Sequence, residues 1–140
     1  MTQTQVYISG NPITRAHETD AGLDLTANQD FIIPAGESKL IRTGTKVAIP
    51  FGYCGQIWPR SGLSVKFGIE NGAGLIDSGF RGELQVHLYN HSGMPFKALK
   101  GDRVAQLVIL PIWTGDPILI DDVADLESDR NENGFGSTGQ

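Results

Sequence analysis

Apolar and polar residues alternate with period two along much of the chain, the pattern of strands that bury one face. Segments 38–43, 46–49, 55–58, 83–89 and 103–109 all carry it and read as strands. In Leu23-Asp24-Leu25-Thr26 the same period sets Leu23 and Leu25 on one face. Gly22, Asp24 and Thr26 fall on the other, by default an exposed polar face. Between these runs, 34–36 (Pro-Ala-Gly), 50–52 (Pro-Phe-Gly) and 91–93 (His-Ser-Gly) read as turns. Residues 61–67 are the one place for a short helix. Many short strands with frequent turns predict an all-β fold, a jelly roll or distorted barrel. A single domain over 1–129 is expected, without internal repeats, followed by a flexible glycine-rich arm over 130–140. That last stretch holds a lone apolar residue, Phe135, and cannot build a core.

Composition narrows the function classes. The chain has 140 residues, a net charge of −5 and a sequence pI near 5.0, with no block rich in Lys or Arg. Polymeric nucleic acid is therefore not an expected partner, because counterion release needs clustered positive charge. The single cysteine, Cys54, excludes an intrachain disulfide and a cysteine-based zinc site, and suits a reducing cytoplasm. No apolar run approaches the ~20 residues of a spanning helix, so no membrane association is expected. Glycine stands out at 18 residues, about twice its usual ~7% share. Such richness predicts positions that need positive φ or close approach.

Four segments could carry chemistry. Pro59-Arg60-Ser61-Gly62-Leu63-Ser64 follows a strand and opens the short helix. It is either a capped turn with Ser61 at the cap, or an anion cradle of N–H groups with Arg60 as a fork. In the stretch from Asn71 to Gly82, glycine pairs at 72/74 and 79/82 flank an apolar run that ends in the carboxylate of Asp77. This reads as a β-hairpin, either purely structural with Asp77 forming a turn, or open to a flat ligand with Asp77 as a base. Gln106 interrupts the apolar strand 103–109 and faces either solvent or a buried partner. Arg130, Phe135, Ser137 and Thr138 mark the tail as a passive terminus or a segment that closes over a ligand. His17, His87 and His91 show no metal-ligand spacing.

The order of the segments is more specific than any one of them. Ala-Gly-Leu-Asp-Leu at 21–25, Pro-Arg-Ser-Gly-Leu-Ser at 59–64, Asn-Gly-Ala-Gly-Leu-Ile-Asp at 71–77, Gly-Asp-Arg-Val-Ala-Gln-Leu at 101–107 and Gly-Phe-Gly-Ser-Thr-Gly at 134–139 resemble the five ordered motifs of the trimeric dUTPase family. That resemblance spans nearly the whole chain and favours the functional reading of each segment. It implies a jelly-roll subunit in a three-fold homotrimer with three shared active sites, hydrolysing dUTP to dUMP and pyrophosphate with Mg²⁺. Such an activity limits uracil incorporation into DNA and supplies dUMP.

Carried over position by position, the resemblance makes Asp77 the carboxylate that activates water. Asn71, Gly74, Leu75 and Ile76 read uracil, and Phe80 packs on the deoxyribose. Arg60, Ser61, Gly62 and Gln106 hold the triphosphate, and Asp24 holds Mg²⁺ through water. From the arm, Arg130 reaches the γ-phosphate, Phe135 stacks on uracil, and Ser137 and Thr138 bind phosphate oxygens. Gly79 and Phe80 depart from the acidic residue and tyrosine common in the family, and Asn131 and Asn133 replace common glycines. Two alternatives accompany this reading. One is a dUTP-gated signalling module acting on a partner protein. The other is a dCTP deaminase of the same fold, which needs a glutamate about ten residues past Asp77, where this chain has His87.

Overall fold

The structure is a computed structural model that describes residues 5–130. Strands β1 (Tyr7–Gly10), β2 (Leu23–Thr26), β3 (Phe31–Ile33), β4 (Ser38–Ala48) and β5 (Tyr53–Trp58) precede the helix α1 (Ser61–Phe67). Strands β6 (Ile69–Gly72), β7 (Leu75–Ile76), β8 (Glu83–Asn90), β9 (Phe96–Ala98) and β10 (Arg103–Pro111) follow it. One antiparallel sheet has the order β1-β4-β8-β6 and a second β2-β10-β5-β7, while β3 and β9 form a separate ribbon. The inner faces share one core. Leu84, Val86 and Leu88 of β8 are buried with Leu25 of β2 and Val104, Ala105 and Leu107 of β10. Period two therefore predicts the buried face of β8 residue by residue, as expected for an all-β sandwich.

The two expected strands over 38–43 and 46–49 are a single strand, β4. Its pairing with β8 shifts register between Arg42 and Lys46, around Gly44 at φ 71°. Side chains take over where the ladder breaks. Thr43 Oγ1 donates to Leu84 O at 2.6 Å, and Gly44 N donates to Glu83 Oε2 at 2.7 Å. The left-handed backbone of Gly44 is the kind that a bulge uses.

Glu83 also accepts from Arg42 Nε at 2.9 Å. The Arg42 guanidinium, with help from the Gly44 N–H, holds the Glu83 carboxyl below its usual range. A lowered folded pKa stabilises the fold above the unfolded pKa and is lost as pH falls through the folded one. Glu83→Gln should thus lower Tm at pH 7 by about 2–4 °C. The gap to wild type should shrink on acidification through that range. A pH-independent gap in a thermal scan would reject this role.

Helix α1 occupies the expected residues, but its cap position is Arg60 rather than Ser61. No side-chain hydrogen bond caps it, and Gly68 ends it at φ 65°. The expected hairpin over 71–82 is corrected. Strand β6 pairs with β8 and β7 pairs with β5, so Gly72-Ala73-Gly74 carries the chain from one sheet to the other. Glycine is required there by packing. A Cβ on Gly72 would lie 2.6 Å from the Tyr89 ring, and one on Gly74 would lie 3.1 Å from Ile57 O.

Candidate active site

Three neighbouring strands of the second sheet deliver residues of three sequence motifs to one cleft. Asp24 on β2 lies opposite Gln106 on β10, which lies opposite Trp58 at the end of β5. Chain leaving β5 turns through Pro59 into Arg60, Ser61 and Gly62. Gln106 Nε2 donates to Pro59 O at 3.0 Å, tying the turn to the central strand. The face holding Gly22, Asp24 and Gln106 is not the open polar face expected from the alternation. Gly22 is buried, because the Gln106 amide fills its place and would meet a Cβ at 2.1 Å.

The cleft measures about 460 Å³ and is lined by Asp24, Arg60, Ser61, Gly62 and Gln106, together with Arg103, Lys66, His17 and Asp20. Asp24 is largely enclosed, with its side chain 17% exposed. Arg103 Nη1 stands 3.6 Å from its Oδ2 and Arg60 Nε 3.9 Å from its Oδ1. The first helical turn adds backbone donors without a side-chain cap, and nothing lies within 4 Å of a Cβ built on Gly62. Glycine at 62 thus leaves room for a group that is not part of this chain. An adjoining groove of about 620 Å³ shares Arg60 and Arg103, but holds none of Asp24, Ser61, Gly62 or Gln106.

The residues of the 71–80 segment gather elsewhere. Strand β7 is the edge of the second sheet and β6 the edge of the first. Outward N–H and C=O groups of both strands therefore lack ladder partners and can pair with a flat heterocycle. Asn71 Nδ2 donates to Ile57 O at 3.0 Å and Ile57 N donates to Gly74 O at 2.9 Å, which fixes Leu75 and Ile76 against β5. A turn follows in which Phe80 N donates to Asp77 O at 3.1 Å, braced by Arg81 Nη1 on Ser78 O at 2.6 Å. Asp77 is exposed, and Phe80 is 43% exposed with its ring lying over Gly82. Asn71, Gly74, Leu75, Ile76, Asp77 and Phe80 are all missing from the lining of the cleft that holds Asp24.

A family model for dUTPase matches residues 9–139. The chain belongs to the dUTPase family. A deoxyuridine 5'-triphosphate nucleotidohydrolase from Debaryomyces hansenii is 45% identical over 130 residues, covering 91% of this chain and 79% of that protein. Among solved structures, a mutant dUTPase of Staphylococcus bacteriophage 80alpha with dUpNHpp is 28% identical at a TM-score of 0.90. That match covers 97% of this chain and 99% of the other. A mutant dUTPase of S. aureus phage phi11, in which a structural Mg(II) ion is coordinated, is 27% identical at a TM-score of 0.79. It covers 84% of this chain and 97% of the other.

Within this family frame, Phe135, Ser137 and Thr138 lie outside the described residues, as do Asn131 and Asn133. Arg130 is the last described residue and is exposed. Reading the sequence assigned no role to Arg103, Lys66, His17 or Asp20, which line the cleft. Arg103 sits inside the Gly101–Leu107 motif and could have been found there by its spacing from Gln106. The others follow no pattern that sequence alone exposes. Among the described residues no helix is long and apolar enough to cross a membrane.

Proposed function

We propose that the chain hydrolyses dUTP to dUMP and pyrophosphate, with Mg²⁺, as a homotrimer whose sites are shared between subunits. The observation that carries this reading is the division of the site. Asp24, Arg60, Ser61, Gly62 and Gln106 line one cleft, and Asp77 and the base-side edge strands are absent from it. A second subunit supplying the base side completes such a site. Apolar surface supports assembly as well. Every residue from 110 to 130 is exposed in the isolated chain, including Trp113 at 72% and Leu119 at 98%. Exposed apolar area on that scale marks an interface.

In this reading the edge backbone of β6 and β7 pairs with uracil, and Phe80 covers the deoxyribose. Arg60, Gln106 and the first-turn N–H groups hold the polyphosphate. Asp77 takes a proton from water as its oxygen attacks the α-phosphorus. The bond from that phosphorus to the bridging oxygen breaks, and pyrophosphate leaves. No group of three or more His, Cys, Asp or Glu among the described residues could cage a metal. One enclosed carboxylate, Asp24, suits Mg²⁺, which keeps its water and leans on substrate phosphates. When bound there, the ion offsets polyphosphate charge. The arm over 130–140, as a unit separate from the domain over 1–129, closes the site. A cytoplasmic setting suits the single, buried Cys54.

A panel of nucleoside triphosphates with Mg²⁺, run beside sedimentation, tests the reading. It expects dUTP turnover well above that of dCTP, dTTP and UTP, at a mass of three chains. Absence of dUTP turnover would refute the activity, and full turnover by a monomer would refute the shared site.

A further inference from the structure

The loop before β2 forms a wall of the phosphate-side cleft, and it carries a histidine held in one orientation. Asp20 Oδ2 accepts from the His17 backbone N–H at 3.0 Å and lies 3.0 Å from the His17 ring Nδ1. Asp20 N donates back to His17 O at 3.0 Å, and Arg15 Nε donates to Asp20 O at 3.0 Å. One carboxylate oxygen therefore fixes both the turn and the ring. With Nδ1 hydrogen-bonded to a carboxylate, Nε2 is the ring atom left to meet a ligand. His17 and Asp20 line the same cleft as Arg60, Lys66 and Arg103.

We infer that His17, oriented by Asp20, is a further polyphosphate-binding residue of this chain, which as the imidazolium gives its Nδ1–H to Asp20 and its Nε2–H to a phosphate oxygen. This inference rests on the dUTPase reading for the identity of the nucleotide, but not for the anion. A cleft lined by Arg60, Lys66 and Arg103, beside the carboxylates of Asp20 and Asp24, suits a polyphosphate chain. The ring adds a directional donor to the same cleft and the same subunit as Arg60, so it acts without the arm. Asp20 is a positioning residue. Its Oδ2 holds both the His17 ring and the backbone N–H of the same residue.

The test uses full-length protein and two probes, inorganic pyrophosphate with Mg²⁺ and dUMP, each titrated by calorimetry. His17→Ala should weaken pyrophosphate binding roughly tenfold, the size of one charge-assisted hydrogen bond. It should raise KM for dUTP similarly while leaving dUMP affinity within about twofold. His17→Gln keeps a donor near the Nε2 position and should recover most of the loss. Asp20→Asn should weaken pyrophosphate binding less than His17→Ala and have a smaller effect in the His17→Ala background, where only its bond to the backbone N–H of residue 17 remains. Unchanged pyrophosphate affinity in His17→Ala would overturn the inference, and so would an equal loss for dUMP. Because the calorimetry needs no turnover, a wild-type protein inert toward dUTP would reject the dUTPase reading and still decide the role of His17.

Discussion

Asp77→Asn should lower dUTP turnover by roughly 10²–10⁴ while leaving dUTP binding nearly intact. The substitution keeps size and shape but removes the proton acceptor. Asp77 is exposed, and no hydrogen bond or ion pair to its carboxylate holds the fold together among the described residues. Its backbone carbonyl, which receives the Phe80 N–H at 3.1 Å, survives the change. Stability should therefore be unaffected, separating a chemical defect from a folding defect. Steady-state kinetics and a thermal scan on the same preparation read both quantities. Turnover at the wild-type rate would remove Asp77 from the mechanism.

A chain ending at Asp129 should fold, melt and assemble much like the full chain, yet lose dUTP turnover by orders of magnitude. Residues 130–140 contain Phe135 as their lone large apolar side chain, so their removal takes little apolar area with it. What they offer is chemical: a guanidinium in Arg130, a ring in Phe135, and the hydroxyls of Ser137 and Thr138. Closing these over bound substrate excludes water and adds charge-assisted bonds, both of which matter most as charge shifts during reaction. Binding of dUMP, which lacks the β- and γ-phosphates, should change little. Phe135→Ala should be milder, since one stacking contact contributes only about 0.5–1.5 kcal/mol beyond area burial. Hydrolysis by the shortened chain at the full rate would make the arm a passive terminus.

Legibility in the sequence followed the physics of each element. Strand β8 was readable because Leu84, Val86 and Leu88 point into one core while their neighbours do not. Helix α1 occupies the expected residues 61–67, and Gly68 ends it in the left-handed region. Short strands such as β1, β3 and β9 were missed, for three or four residues hold at most two periods. The break expected between 43 and 46 is a bulge inside one strand, because alternation stops at a bulge as it does at a turn. At the site, motif order brought Asp24, Arg60, Ser61, Gly62 and Gln106 together, and the cleft holds all five. His17 and Asp20 were invisible as a pair. Their bond depends on how one loop closes beside β2, and no periodicity encodes that. Ile118-Leu119-Ile120 was passed over beside the acids that follow it, although all three are exposed in the single chain.

The crossing from β6 to β7 has a consequence for how this protein can change. The proposed base-reading edge belongs to neither sheet alone. It is the seam where one sheet hands the chain to the other, with Gly72 resting on Tyr89 and Gly74 against Ile57. Spacing between the sheets, set by core residues remote from any ligand, is therefore also the gauge of that seam. Substitutions chosen to tighten the core would move the two halves of the gauge relative to each other. Fidelity toward the base and firmness of the fold are thus coupled traits in this chain, and selection acting on either one reaches the other.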